Sequence, residues 1–153
     1  MRDVPKRMVF VDGDENTRLV VKMIYERLEE QDEETVMVTC SSGEELLLRL
    51  RIVEPDLVII GQNLEGFDSL QTFMALRDRE EGRSMPVIFL TGRDELAMIE
   101  DHTKPGISGV IYKPFETGML PQMINDIWSG LLAEHNKNPE PGLKKGCGIF
   151  THG

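Results

Sequence analysis

A doubly wound α/β fold on a five-stranded parallel sheet is what this sequence predicts, and three observations carry the prediction. Short, unbroken apolar runs close at positions 11, 38, 60, 90 and 112. Strands buried on both faces read this way, whereas strands with one wet face alternate. Between the runs lie segments whose apolar residues recur at helical spacing. Strand and helix in regular succession imply parallel strands joined by crossover helices.

Met8 to Val11 is the first strand, and Asp12-Gly13-Asp14 follows it. Leu19, Val20, Met23, Ile24 and Leu28 then mark a helix with one stripe toward the core. Asp14 suits its N-cap. Val36 to Thr39 is a second strand, near a sheet edge because polar residues flank it closely. Ser42 and Glu45 form a capping-box pattern ahead of Leu46, Leu47 and Leu50. Pro55 ends that helix, and Leu57 to Ile60 is the third strand, closing at Gly61. A helix from about Ser69 to Arg79 carries Leu70, Phe73, Met74 and Leu76. Val87 to Leu90 is the fourth strand, a more polar helix spans about Asp94 to Asp101, and Ser108 to Tyr112 is the fifth strand. After the Lys113-Pro114 turn, Met119 to Leu132 is the last helix. The pattern stops near residue 135, so residues 1–135 read as one domain and 136–153 as a flexible tail or linker.

Composition narrows the function classes. At 153 residues the chain buries a core without staples. Cys40 and Cys147 lie far apart and fit no metal spacing, which suits a reduced, cytoplasmic setting. No apolar stretch reaches the roughly 18 residues of a membrane helix, so no membrane partner is expected. The net charge of −10 argues against nucleic acid, whose binding rests on Lys and Arg neutralising phosphates. The three histidines, His102, His135 and His152, are scattered away from the strand ends.

In a sheet of this kind ligands bind beyond the carboxyl ends of the strands. The residues there are Asp12 and Asp14, Gly61, Thr91 and Lys113. Together with Pro55-Asp56-Leu57-Val58-Ile59-Ile60, Asn63-Leu64-Glu65-Gly66-Phe67-Asp68, Pro86-Val87-Ile88-Phe89-Leu90-Thr91 and Lys113-Pro114-Phe115, this set resembles the receiver domains of two-component response regulators. The resemblance covers roughly residues 7–133. It implies a flavodoxin-like fold of strand order 2-1-3-4-5, with Asp12, Gly61 and Lys113 clustered. It also implies a phosphoacceptor pocket: an aspartate ending the third strand, an acidic pair holding Mg²⁺, a hydroxyl and a lysine.

This chain departs from that pattern at three places. Gly61 replaces the acceptor, Gly13 replaces the acid that binds the metal directly, and Val110 stands where the family carries a Tyr or Phe relay ring. Asp12 matches the first acid, Asn63 the residue whose carbonyl would face the metal, and Thr91 and Lys113 the phosphoryl-binding pair. Asp12, Asp14 and Asn63 leave at most a weak magnesium site, and no cofactor is expected. Asp14 reads first as a helix cap, Asp68 as a cap or solvated acid, and Asp56 begins its strand at the far end. Tyr112 reads as a packed or half-exposed aromatic.

The expectation is therefore a degenerate, phosphorylation-independent receiver acting through protein–protein contact rather than as an enzyme. By the resemblance, its partner is a sensor kinase, a regulator, an output domain or a second copy, met through about residues 94–132. The alternative is a receiver still regulated by phosphorylation at a non-standard aspartate, or by a small ligand in the vacated pocket. A flavodoxin-like sheet can also host enzymes, but no nucleophile–base pair and no Gly-rich phosphate loop is visible.

Overall fold

Six parallel strands form one sheet in the order β2-β1-β3-β4-β5-β6. The computed structural model describes residues 3–31, 35–92, 106–137 and 149–152. In chain order these hold β1 (Arg7–Val11), α1 (Glu15–Gln31), β2 (Val36–Cys40), α2 (Gly43–Val53), β3 (Leu57–Ile60), α3 (Ser69–Asp78), β4 (Val87–Thr91) and β5 (Gly109–Tyr112). A short 3-10 turn, Thr117–Met119, leads into α4 (Leu120–Lys137), and β6 (Ile149–His152) follows. The first five strands have the 2-1-3-4-5 order expected of the receiver fold, with β2 at one edge. The polar helix expected near Asp94–Asp101 lies outside the described residues.

The strands sort their side chains into two cores. Met8, Phe10, Leu57, Ile59, Ile88, Leu90 and Ile111 face one side, where Val21 and Tyr25 of α1 and Ile124, Ile127 and Trp128 of α4 pack on them. Val9, Val11, Val58, Ile60, Val87, Phe89, Val110 and Tyr112 face the other, against Leu46 and Leu50 of α2 and Phe73 and Leu76 of α3. Strand side chains alternate between faces, so a one-residue slip would exchange the two sets. That fixes the register and hence the level at which each strand ends.

Local signals explain the helix ends. The Ser42 hydroxyl accepts from the Glu45 N–H at 3.1 Å, and the Glu45 carboxylate takes the Ser41 N–H at 2.9 Å rather than that of the cap itself. Glu54 turns left-handed (φ 49°) to end α2 ahead of Pro55. Asp68 caps α3 in a full capping box with Gln71.

Two expectations are corrected. The stripe of α1 that meets the core is Val21, Ile24, Tyr25 and Leu28, whereas Leu19, Val20 and Met23 are substantially exposed. The helix has apolar residues on more than one face, so periodicity alone does not choose the buried one. The second correction concerns the tail. Ile149–His152 pairs with β5 in parallel, Gly109 with Ile149 through Tyr112 with His152, and makes a sixth strand where no structure was expected. Four residues are too few to show a period, and only the exposed edge of β5 gives them a partner.

Arg77 escaped the sequence reading. Its guanidinium lies over the Phe73 ring at 4.8 Å and donates to the carbonyls of Gly82, Met85 and Gly106. Burial pulls its pKa down, and the three carbonyls tie the α3–β4 connection to the start of β5. Thr72 shows the opposite economy: it is fully buried, and its hydroxyl has no partner among the described residues. Such a hydroxyl carries an uncompensated desolvation cost. Thr72→Val is expected to raise stability by about 1 kcal/mol, read as a higher urea midpoint at unchanged m-value. A lower midpoint would show that the hydroxyl is satisfied.

Candidate functional site

The carboxyl ends of β1, β3, β4 and β5 converge because their registers are locked. Val11 aligns with Ile60, which sets Asp12 beside Gly61, and Thr91 aligns with Tyr112, which sets Lys113 beside them. Backbone bonds carry the ladder one step past the strands: Asp12 N–H to Cys40, Gly61 N–H to Val11, Gly13 N–H to Gln62 and Lys113 N–H to Thr91. The chain leaves β1 toward β2 on one side and reaches β3 on the other, so the cluster lies at the switch in strand order, where such sheets bind ligands.

Asp12 is the centre of the cluster, and its side chain is fully buried. One carboxylate oxygen, Oδ1, accepts from the Asp14 N–H at 2.8 Å. The other, Oδ2, accepts from the Gln62 N–H at 3.2 Å and lies 3.8 Å from Lys113 Nζ. Arg18 binds the Asp12 carbonyl at 2.8 Å. A buried carboxylate must be compensated by donors and opposite charge, and here both oxygens are.

Gly61 and Gly13 are shaped by close approach. A Cβ at 61 would stand 2.1 Å from Asp12 Oδ2, so the Asp12 carboxylate fills the space a side chain at 61 would take. A Cβ at 13 would stand 1.5 Å from the Asn63 carbonyl oxygen. The second conflict is with backbone and cannot be relieved by a rotamer. Asn63 itself sits at positive φ (57°), which brings its carbonyl against β1.

These residues do not fit a magnesium ion. Mg²⁺ asks for near-octahedral oxygen ligands, and the Asp12 oxygens already serve N–H donors and Lys113. Asp14 is exposed and engaged elsewhere. It caps α1 by accepting from Thr17 Oγ1 at 2.7 Å and the Asn16 N–H at 3.0 Å. The Thr17 hydroxyl bond, followed by the Asn16 N–H, holds its pKa below the usual carboxylate value. The space beside Gly13 belongs to the Asn63 carbonyl.

Thr91 is buried, and its hydroxyl lies 3.3 Å from the Gln62 side-chain nitrogen. Gln62 was missed by the sequence reading although it touches two members of the cluster. The available signal was its place directly after Gly61, where a side-chain amide can reach a neighbouring strand end. Asp68 is engaged as the α3 cap, and Asp56 binds the Lys6 and Arg7 N–H groups at the opposite end of β3. Val110 is fully buried and Tyr112 is nearly so, both packed in the α2–α3 core. Lys113-Pro114 is a cis peptide.

The sequence model of the response regulator receiver domain matches residues 10–125. The chain belongs to that family. Among curated relatives, this receiver is 33% identical over 82 residues to the phosphate regulon transcriptional regulatory protein PhoB of Rhizobium meliloti, covering 54% of this chain and 36% of that one. It is 30% identical over 105 residues to the sensory transduction protein BceR of Bacillus subtilis, covering 68% and 43%. The receiver thus spans less than half the length of these two relatives. Its fold matches the chemotaxis response regulator CheY4 of Vibrio cholerae with a TM-score of 0.64 at 20% identity, over 78% of this chain and 96% of that one. It equally matches the receiver domain of sensor histidine kinase PA1611 of Pseudomonas aeruginosa (TM-score 0.64, 19% identity, 81% and 98% coverage), whose structure has a magnesium ion in the active-site cleft. Among the described residues of this receiver, no helix is long and apolar enough to cross a membrane.

Two substitutions test the closed arrangement. Lys113→Met removes the cation facing a buried carboxylate and is expected to cost about 1–3 kcal/mol in chemical denaturation. Gly13→Ala forces the Asn63 loop to move and is expected to cost about 1–3 kcal/mol as overpacking. An unchanged midpoint in either would contradict the packing described.

Proposed function

We propose that this receiver works without phosphorylation at the family's usual position, as a pseudo-receiver whose output is protein–protein interaction. The observation that carries the reading is Asp12 Oδ2 standing 2.1 Å from the place of a residue-61 Cβ. The acceptor is absent, and the first acid of the metal pair fills its space. The remaining phosphate-binding groups are also engaged: Lys113 faces Asp12, and Gln62 is hydrogen-bonded to Thr91. A pocket whose groups already bind one another offers a phosphodonor neither a nucleophile nor free cationic charge.

The partner in this reading is a protein: a sensor kinase, a regulator, an output domain or a second copy, met through about residues 94–132. Of that surface, β5, the turn after it and α4 as far as Leu132 are described. The net charge of −10 favours protein over nucleic acid. Among the described residues the strand ends carry no nucleophile–base pair, which supports a signalling rather than an enzymatic role.

One observation favours a second reading, regulation by a small ligand. A cleft of about 370 Å³ opens beside the cluster, lined by Thr17, Val20, Val21, Lys113, Pro114 and Phe115. Its volume and largely apolar wall fall within the range of small-molecule sites.

Incubation with acetyl phosphate and Mg²⁺, followed by intact-mass spectrometry, separates the readings. No phosphoryl adduct is expected on the native chain, and none on Gly61→Asp alone, because Gly13 still leaves the metal short of a carboxylate. A stable adduct on the native chain, lost in Asp12→Asn, Asp14→Asn or Asp68→Asn, would sink the phosphate-independent reading.

A further inference from the structure

Beneath α1 and α4, near the amino ends of β1 and β2, lies a second cavity of about 230 Å³. Tyr25 and Leu28, one turn apart on α1, line it from one helix. Pro121 and Asn125, one turn apart on α4, line it from the other, and Met8 of β1 contributes from the sheet. The cavity shares no residue with the cleft beside Lys113 or with the Asp12 cluster. Its occupancy is therefore a separate matter from the pseudo-receiver reading.

One side chain of that wall is left without a partner. Tyr25 is only 3% exposed, and its hydroxyl makes no hydrogen bond among the described residues. Burial pushes its pKa up, so the phenol stays a neutral donor. Among the described residues, Thr72 alone carries an unpartnered side-chain polar atom that is sealed off completely. The Tyr25 oxygen therefore borders open space, and the cavity is space that Tyr25 lines. A desolvated donor in that position carries a cost until an acceptor reaches it. Asn125 is likewise unpartnered among the described residues, whereas Thr35, the third polar residue of the wall, already has a partner.

The lining defines the ligand. No charged side chain belongs to it, so a carboxylate, a phosphate or an ammonium would be buried there without compensation. Pro5 and Pro121 offer no backbone N–H in place of a charge. A pure hydrocarbon would leave the Tyr25 hydroxyl unsatisfied. Size sets the rest: a cavity of about 150 Å³ takes benzene, so one of about 230 Å³ takes a ring with a polar substituent. We infer that this cavity binds a small, neutral, single-ring molecule carrying a carbonyl or carboxamide. The ligand oxygen accepts from Tyr25, and Asn125, which both donates and accepts, takes the other polar edge. Bound there, the molecule bridges α1 and α4 over β1.

Titration of the full ¹⁵N-labelled chain with benzamide, followed through its amide shifts, tests this. Saturable shifts are expected at Tyr25, Leu28 and Asn125, with Gly61 and Lys113 unmoved and a dissociation constant on the order of millimolar or tighter. Benzoate has the same shape with a negative charge and is expected not to bind at those concentrations. Tyr25→Phe removes the hydroxyl alone and is expected to weaken benzamide about tenfold. The same variant is expected to keep the native urea midpoint or exceed it, because the hydroxyl it loses has no partner in the fold. No saturable response to benzamide would overturn the inference, as would equal affinity in Tyr25→Phe or equal binding of benzoate. Shifts confined to the cleft beside Lys113 would also overturn it and would place the ligand at the other site. A lowered midpoint in Tyr25→Phe would show that the hydroxyl is already satisfied, which removes the ground for a ligand. Phosphoryl incorporation at the strand ends would overturn the pseudo-receiver reading and leave this titration as it stands.

Discussion

A fully buried carboxylate governs the functional end of this molecule. Asp12 has no water to solvate it, and an uncompensated charge in that position would cost several kcal/mol. Two backbone N–H groups and the Lys113 ammonium supply the compensation. Each donor comes from a different piece of the chain, so satisfying Asp12 ties the β1–α1 turn, the loop after β3 and the turn after β5 to one another. Gly61 makes room for the carboxylate, and Gly13 makes room for the Asn63 carbonyl that follows from the same loop path. The two glycines are parts of one packing solution.

The sheet that presents this cluster is sustained by different forces. Two apolar layers, one under α1 and α4 and one under α2 and α3, hold β1 to β5 in register from both faces. None of that depends on the chemistry at the strand ends. Residues at the strand ends can differ without loss of the fold, because fold and site rest on separate interactions. The same sheet carries a topological consequence at its far side: a parallel sheet that ends at β5 leaves an unpaired edge, and the last residues of the chain close it.

How much of this was legible in the sequence varies with the kind of signal. The strands and the 2-1-3-4-5 order were legible, because apolar runs of four or five residues cannot be hidden and the order came with the family resemblance. The positions that end the strands were legible too, since they are marked by the first polar or glycine residue after each run. The buried stripe of α1 was not: Val20 and Val21 are chemically alike, and only the docking angle on the sheet exposes one and buries the other. Gln62 and Arg77 were missed because a polar side chain's partners lie far off along the chain, on β4 for one and near Gly106 for the other.

The sequence by itself determined that residue 61 has no side chain with which to attack a phosphodonor, since that follows from composition at one position. It equally determined the alternation of strand and helix, because hydrophobic period is a local property. Only the tertiary structure decided that the Asp12 carboxylate fills the space a side chain at 61 would take, and that Ile149–His152 belongs to the sheet. Both depend on contacts between segments distant in the chain, where distances are set by packing and not by spacing along the backbone.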